Sequence, residues 1–155
     1  MSRPPAAHGE LLLLEGRIDA HFARQSAELP TILDVSRDEE IPRRWYVRLE
    51  AEVRDVTTIW FTLGQRTLKY ETYFLPAPVD EPSRVFEFLL HRNYQLVGAQ
   101  FGIGPEDAIF LTGELPIHAV DEEELDRVTG SLWEYVERYW PMALRLGFGS
   151  VLDRK

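Results

Sequence analysis

Apolar residues recur along this chain with two different periods, and the switches between them divide it into elements. From Glu10 onward, Leu11, Leu14, Ile18, Phe22 and Gln25 return every three or four positions, which marks one face of a helix. That helix ends before Pro30, because the residue preceding a proline is pushed out of the helical region. Residues 31–35 are short and apolar, readable as a strand stub or an extended connector, and 36–44 form a polar, solvated loop. The period then changes to two. Trp45, Val47, Leu49, Ala51 and Val53 alternate with Arg44, Tyr46, Arg48, Glu50, Glu52 and Arg54, a strand with one face packed and the other wet. A tight connection around Asp55 leads to a second strand over 57–63, rich in β-branched and aromatic residues. Gly64-Gln65-Arg66 reads as a turn and 67–75 as a third strand. Connections this short make the neighbours antiparallel, since parallel strands need a crossover of about a dozen residues or more.

Pro76 and Pro78 stop the sheet. Asp80 reads as the N-cap of a second helix with Pro82 in its first turn, Val85, Phe86, Leu89 and Leu90 on its apolar face, and Asn93 as a left-handed C-terminal residue. Strands over 96–103 and 108–115 follow, joined by a turn at Gly104-Pro105-Glu106-Asp107 and closed by Pro116. In the last helix, Asp121 caps, Glu124 completes a capping-box-like pair, and Val120 can staple against Leu125. Leu125, Val128, Leu132, Tyr135, Tyr139, Met142 and Leu146 continue it at spacings of three and four, and Gly147 stands where a C-terminal glycine is expected. Such a helix reaches about 39 Å, longer than a small domain needs for its own core. Pro141 removes the bond to Glu137 and predicts a kink or a short second helix. The order α-β-β-β-α-β-β-α is an α+β fold, a five-stranded antiparallel sheet with helices packed on one face. Residues 1–9 are expected to form a flexible leader, 10–149 a single domain and 150–155 a tail.

The 155 residues, 45% hydrophobic and 28% charged, suit one globular domain able to bury its own core. With no cysteine, a disulfide scaffold, a thiolate zinc site, an iron–sulfur cluster and a cysteine nucleophile are excluded. The 26 acids against 17 bases give a net charge of −9, which repels a phosphate backbone or an anionic membrane, so neither nucleic acid nor membrane is expected as a partner. The apolar run Leu11 to Leu14 is too short for a signal-peptide core or a membrane span, and a soluble cytoplasmic protein is expected.

Little of the polar chemistry is catalytic in pattern. His8, His21, His91 and His118 form no metal-ligand spacing and read as solvent-exposed; no metal site is expected. No serine sits in a nucleophile elbow, and Gly102-Ile103-Gly104 lacks the third glycine and the following helix of a dinucleotide fingerprint, so no cofactor is expected. Glu50, Glu52 and Glu71 could approach one another on the sheet as an acid–base pair, but Arg48, Arg54 and Lys69 share that face and favour a solvated, mixed-charge surface. Glu122-Glu123-Glu124 is explained by the helix dipole. We therefore expect no enzymatic activity.

The aromatics say more. Tyr46, Trp60 and Tyr73 fall in the polar phase of their strands if Trp45/Val47/Leu49, Ile59/Phe61/Leu63 and Leu68/Tyr70/Phe74 face the helices. Exposed among Arg48, Thr58, Thr62 and Lys69, they are either cross-strand packing or an association face, in which Tyr, Trp and Arg are enriched. Tyr46, Arg48, Trp60, Lys69 and Tyr73 are the candidate partner-binding residues. An alternative is a small-molecule-binding regulatory module with a pocket between the sheet and the C-terminal helix, lined by Trp133, Tyr135 or Trp140.

Several motifs carry a family likeness: Trp45-Tyr46-Val47-Arg48-Leu49, Ile59-Trp60-Phe61-Thr62-Leu63, Arg66-Thr67-Leu68, Tyr70-Glu71-Thr72, Leu89-Leu90-His91-Arg92-Asn93, Phe101-Gly102-Ile103-Gly104 and Leu125-Asp126-Arg127-Val128. Over roughly 44–149 the chain resembles the YbjN-like bacterial proteins, in their actinobacterial branch. That family is labelled a sensory-transduction regulator and is grouped by fold with type III secretion chaperones. The resemblance implies a type III secretion chaperone-like fold and a small, acidic, non-enzymatic homodimer that holds an unidentified protein or peptide partner in extended form. It defines no catalytic residues.

Overall fold

The computed structural model describes residues 4–153. Helix α1 (His8–Glu28) buries the periodic set read from the sequence, Leu11, Leu14, Ile18, Phe22 and Gln25, with His21 added. Four strands follow as a meander: β1 (Ile32–Arg37), β2 (Arg44–Glu50), β3 (Val56–Leu63) and β4 (Thr67–Leu75). Helix α2 (Pro82–Asn93) leads into the hairpin β5 (Gln100–Ile103) and β6 (Ile109–Pro116), and helix α3 (Glu122–Leu152) is the last described element. Strand β6 pairs with β4, so the sheet runs β1-β2-β3-β4-β6-β5, antiparallel throughout, with β1 and β5 at its edges. All three helices contribute to one core with the inward residues of the strands, among them Trp45, Ile59, Phe61, Leu68, Tyr70 and Phe74, each at most 2% exposed.

The sheet has six strands where the sequence predicts five, and the order becomes α-β-β-β-β-α-β-β-α. The segment read as stub or connector is β1, paired with β2 from Arg37↔Trp45 to Ile32↔Leu49. A bulge between Ile32 and Asp34 breaks its alternation, and its edge position leaves Leu33 and Asp34 exposed, so the period-two signal is lost. Conversely, β2 stops at Glu50 although alternation runs to Val53. Contacts from α3 replace the ladder there: Trp133 Nε1 donates to the Glu50 carbonyl (2.9 Å) and the Glu137 carboxylate accepts from the Glu52 N–H (3.1 Å).

Side chains also settle the ends of α2 differently. Glu81, in the left-handed region (φ 39°), precedes the helix without a side-chain cap. Asp80 instead accepts from the Ser150 N–H (2.9 Å) and hydroxyl (2.8 Å), tying the start of α2 to the end of α3. Asn93 stays helical, accepting from the Phe101 N–H (2.7 Å) and donating to the Phe101 carbonyl (3.1 Å). The strand expected over 96–103 is only the four residues of β5, because side chains hold the stretch before it. Tyr135 Oη bridges the N–H and carbonyl of Val97, and Tyr70 Oη donates to the carbonyl of Gly98 (2.6 Å), whose φ is +76°.

In α3, Asp121 caps as read, accepting from the Glu124 N–H (2.8 Å), while the Glu124 carboxylate turns to Arg127 (2.7 Å) rather than back to close the box. Pro141 is exposed and carried within the helix; the non-helical residue is Phe148 (φ −140°, ψ 18°). Gly147 does not end the helix. A Cβ there would lie 3.2 Å from both Pro78 and Val85, and its carbonyl accepts from the N–H groups of Val79 and Asp80, so the glycine serves close approach to the start of α2. Beyond Leu132 the buried face runs Val136, Tyr139, Ala143 and Gly147, not Tyr135, Met142 and Leu146. A strict seven-residue repeat drifts by roughly 20° per heptad around a straight helix, which carries Met142 out to 44% exposure.

Candidate functional site

With the helices confined to one face of the sheet, the outward residues of six strands form an open platform. Cross-strand register aligns them in rows. One row reads Ser36, Tyr46, Trp60, Glu71, Thr112 and Gln100; the next contains Asp34, Arg48, Thr58 and, on β4 and β6, Tyr73 paired with Phe110; a third contains Arg44, Thr62, Lys69 and Glu114. The five residues singled out from the sequence, Tyr46, Arg48, Trp60, Lys69 and Tyr73, therefore all lie on this face. They are joined by Phe110, which was not singled out. It packs edge-on to Trp60 (centroids 6.3 Å, 85°) and to Tyr73 (5.7 Å, 83°), making one aromatic ledge. Extending the alternation of β6 outward from buried Ile109 and Leu111 is the signal that locates it.

The polar groups around the ledge divide into occupied and free. Tyr46 Oη donates to Asp38 in the β1–β2 hairpin, and that bond raises the phenol above its ordinary pKa. Asp38 also accepts from the N–H groups of Ile41 (2.6 Å) and Glu40 (2.8 Å), and these donors hold its carboxyl below the usual carboxylate range. Burial pushes the Tyr73 hydroxyl up. Among the described residues, Arg48 and Lys69 make no ion pair. The four tryptophans differ in the same way. The indole N–H of Trp45 donates to Asp19 (2.7 Å), that of Trp133 to Glu50 O and that of Trp140 to Phe74 O (3.1 Å), whereas Trp60, on the open face, has no acceptor among the described residues.

The other sequence candidates are placed as follows. Glu50 and Glu71 stand two strands and four residues apart, roughly 15 Å by strand geometry; Glu52 lies beyond the end of β2 and is exposed. His8, His91 and His118 are exposed, but His21 is not: it is 4% exposed on α1, with Nε2 2.8 Å from Asp126 on α3. Among the described residues no three His, Asp or Glu side chains converge as metal ligands. Of Trp133, Tyr135 and Trp140, Trp133 lines a cleft between α1, α3 and the end of the sheet; the other two clamp α3 to Val97 and Phe74. A separate apolar groove of about 400 Å³ runs between α2 and edge strand β5, with Leu90 and Ile103 on its rim 67% and 57% exposed. No helix among the described residues is long and apolar enough to cross a membrane.

A fold of this kind, a one-sided antiparallel sheet backed by three helices, is type III secretion chaperone-like. ExsC, solved in the ExsC–ExsE complex, matches it with a TM-score of 0.58 over 82% of this chain and 96% of that chain, at 15% identity, a likeness of fold alone. The chain belongs to the YbjN family, described as "Putative bacterial sensory transduction regulator", whose model matches residues 25–144, from the last turn of α1 into α3. The uncharacterized protein Rv0487 of Mycobacterium tuberculosis is 30% identical over 114 residues, 74% of this chain, and ML2442 of Mycobacterium leprae is 30% identical over 112 residues, 72% of this chain. The chain spans only 62% and 61% of the length of those two relatives.

Proposed function

We propose that this chain is a non-enzymatic protein- or peptide-binding module, chaperone- or adaptor-like, acting as a cytoplasmic homodimer in bacterial regulation, with residues 10–149 as the unit that carries it. The observation behind this reading is the uncovered aromatic ledge of Trp60, Tyr73 and Phe110, with a free indole donor and the unpaired cations of Arg48 and Lys69 beside it. An extended polypeptide suits such a face: apolar side chains lie on the rings, a backbone carbonyl takes the Trp60 N–H, and acidic groups meet Arg48 and Lys69. The exposed apolar rim of α2 and β5 is the surface for the second copy. A protein of the same fold, ExsC, is solved with a protein bound to it.

The test is capture of partners from a native cytoplasmic extract by tagged wild type and Trp60→Ala, with matched melting curves. Loss of a central aromatic anchor costs about 2 kcal/mol or more, so recovery of the partner should fall at least about thirtyfold. Undiminished capture by Trp60→Ala would sink the sheet-face reading. Sedimentation at tens of micromolar should give twice the chain mass, and a strict monomer would remove the homodimer.

A further inference from the structure

On the helix side of the sheet, remote from the ledge, α1, α3 and the β1–β2 end of the sheet enclose a cleft of about 750 Å³. Its apolar wall is Leu29, Ile32 and Leu49, and its polar groups are mostly acceptors with capacity to spare. Asp126 uses one oxygen, Oδ1, for both His21 Nε2 (2.8 Å) and Gln25 Nε2; its other oxygen has no partner among the described residues, and the side chain is 57% exposed. Gln25 is only 6% exposed, and its Oε1 is buried with no hydrogen bond. That oxygen is covered by the protein and is not open to the cleft. The Glu28 carboxylate, on the last turn of α1, makes no ion pair or hydrogen bond among the described residues. Glu122 also lines the cleft but is matched by Arg17 (2.9 Å), and Arg24 is the one lining cation. Trp133 has spent its N–H on Glu50 and offers only its ring.

Open acceptors, a net negative lining, an indole face and an apolar wall define a ligand by exclusion. An anion is repelled, and a neutral apolar body leaves the carboxylates unserved. We infer that this cleft binds an alkylguanidinium group, its planar N–H fork turned to Asp126 and Glu28 and its face on Trp133. An ammonium carries its three donors at one point, whereas a guanidinium spreads five around a plane and stacks on indole, which fits acceptors on different walls. The group can come from a free small molecule or from an arginine side chain of a bound polypeptide.

The experiment titrates the intact protein with butylguanidinium, with the peptide acetyl-Gly-Arg-Gly-amide and with its neutral citrulline counterpart, following the Gly130 amide and the Trp133 indole signals by NMR. Saturable shifts are expected for the two guanidinium probes and not for citrulline. A tighter peptide assigns the site to a polypeptide side chain, a tighter butylguanidinium to a free ligand, and either result supports the site. In Glu28→Gln, at an exposed position with no other bond, the dissociation constant should rise about threefold. No cleft shifts at tens of millimolar probe, equal shifts with citrulline, or an unchanged constant in Glu28→Gln would each overturn the assignment. None of these readouts involves Trp60, so the result is separate from that of the sheet-face test.

Discussion

Gly113 shows how much a single missing Cβ can decide. A methyl there would stand 2.4 Å from Gly98 O and 2.5 Å from the ring of Tyr70. Its absence lets the Tyr70 ring lie beneath β6 with Oη donating to Gly98 O, which fixes the entry to β5. Gly113→Ala should therefore destabilise by about 2–3 kcal/mol, through overpacking against backbone that cannot yield; a urea midpoint unchanged from wild type would contradict this. Gly104 plays the matching part outside, where a Cβ would meet the Phe110 ring at 2.7 Å, so the ledge owes its position to a residue with no side chain. Close approaches of this kind join residues far apart in the chain, and no local pattern announces them. The same holds for His21, whose burial depends on Asp126, 105 residues away.

Among the elements, those whose period is set by a single packed face are legible. The buried side of α1 and the inward phases of β2, β3 and β4 follow directly from spacing, and so does the outward placement of Tyr46, Trp60 and Tyr73. Elements fixed by side-chain traffic are not legible: β1 hides behind its bulge, β2 is cut short by Trp133 and Glu137, and β5 begins only after Tyr70 and Tyr135 release the backbone. Helix α3 combines the two. Its start is local chemistry, and Asp121→Ala should cost about 1 kcal/mol, read as a lower chemical-denaturation midpoint with unchanged slope. Its far end is set by α2, with Gly147 and Ser150 meeting Pro78, Val85 and Asp80.

For the molecule as a whole, the exposed ion pairs are individually worth little. Two carboxylates nevertheless join separate parts: Asp38 closes the β1–β2 hairpin onto Tyr46, and Glu122 links α3 to Arg17 of α1. Hydrogen bonds from Ile41, Tyr46 and Glu40 depress the first, and the hydrogen bond from Arg17 depresses the second. A depressed carboxyl contributes stability that is complete above its unfolded pKa and disappears as pH falls through the folded one. The melting temperature should thus hold from neutrality to about pH 5 and fall below about pH 4. In the double variant Asp38→Asn, Glu122→Gln that fall should be shallower; an identical acid limb would show that other groups govern it.

The sheet order carries a consequence for synthesis. Strands β1 to β4 are joined by hairpins and can pair soon after they leave the ribosome, with α1 already present to shelter Trp45 and Phe61 through Phe22. The centre of the inner face has no cover until α3, made after all six strands, folds down on β3 and β4. A nascent chain therefore passes through a stage in which both sides of its sheet are adhesive. Of the two, one is sealed when α3 folds down, and the other stays bare among the described residues.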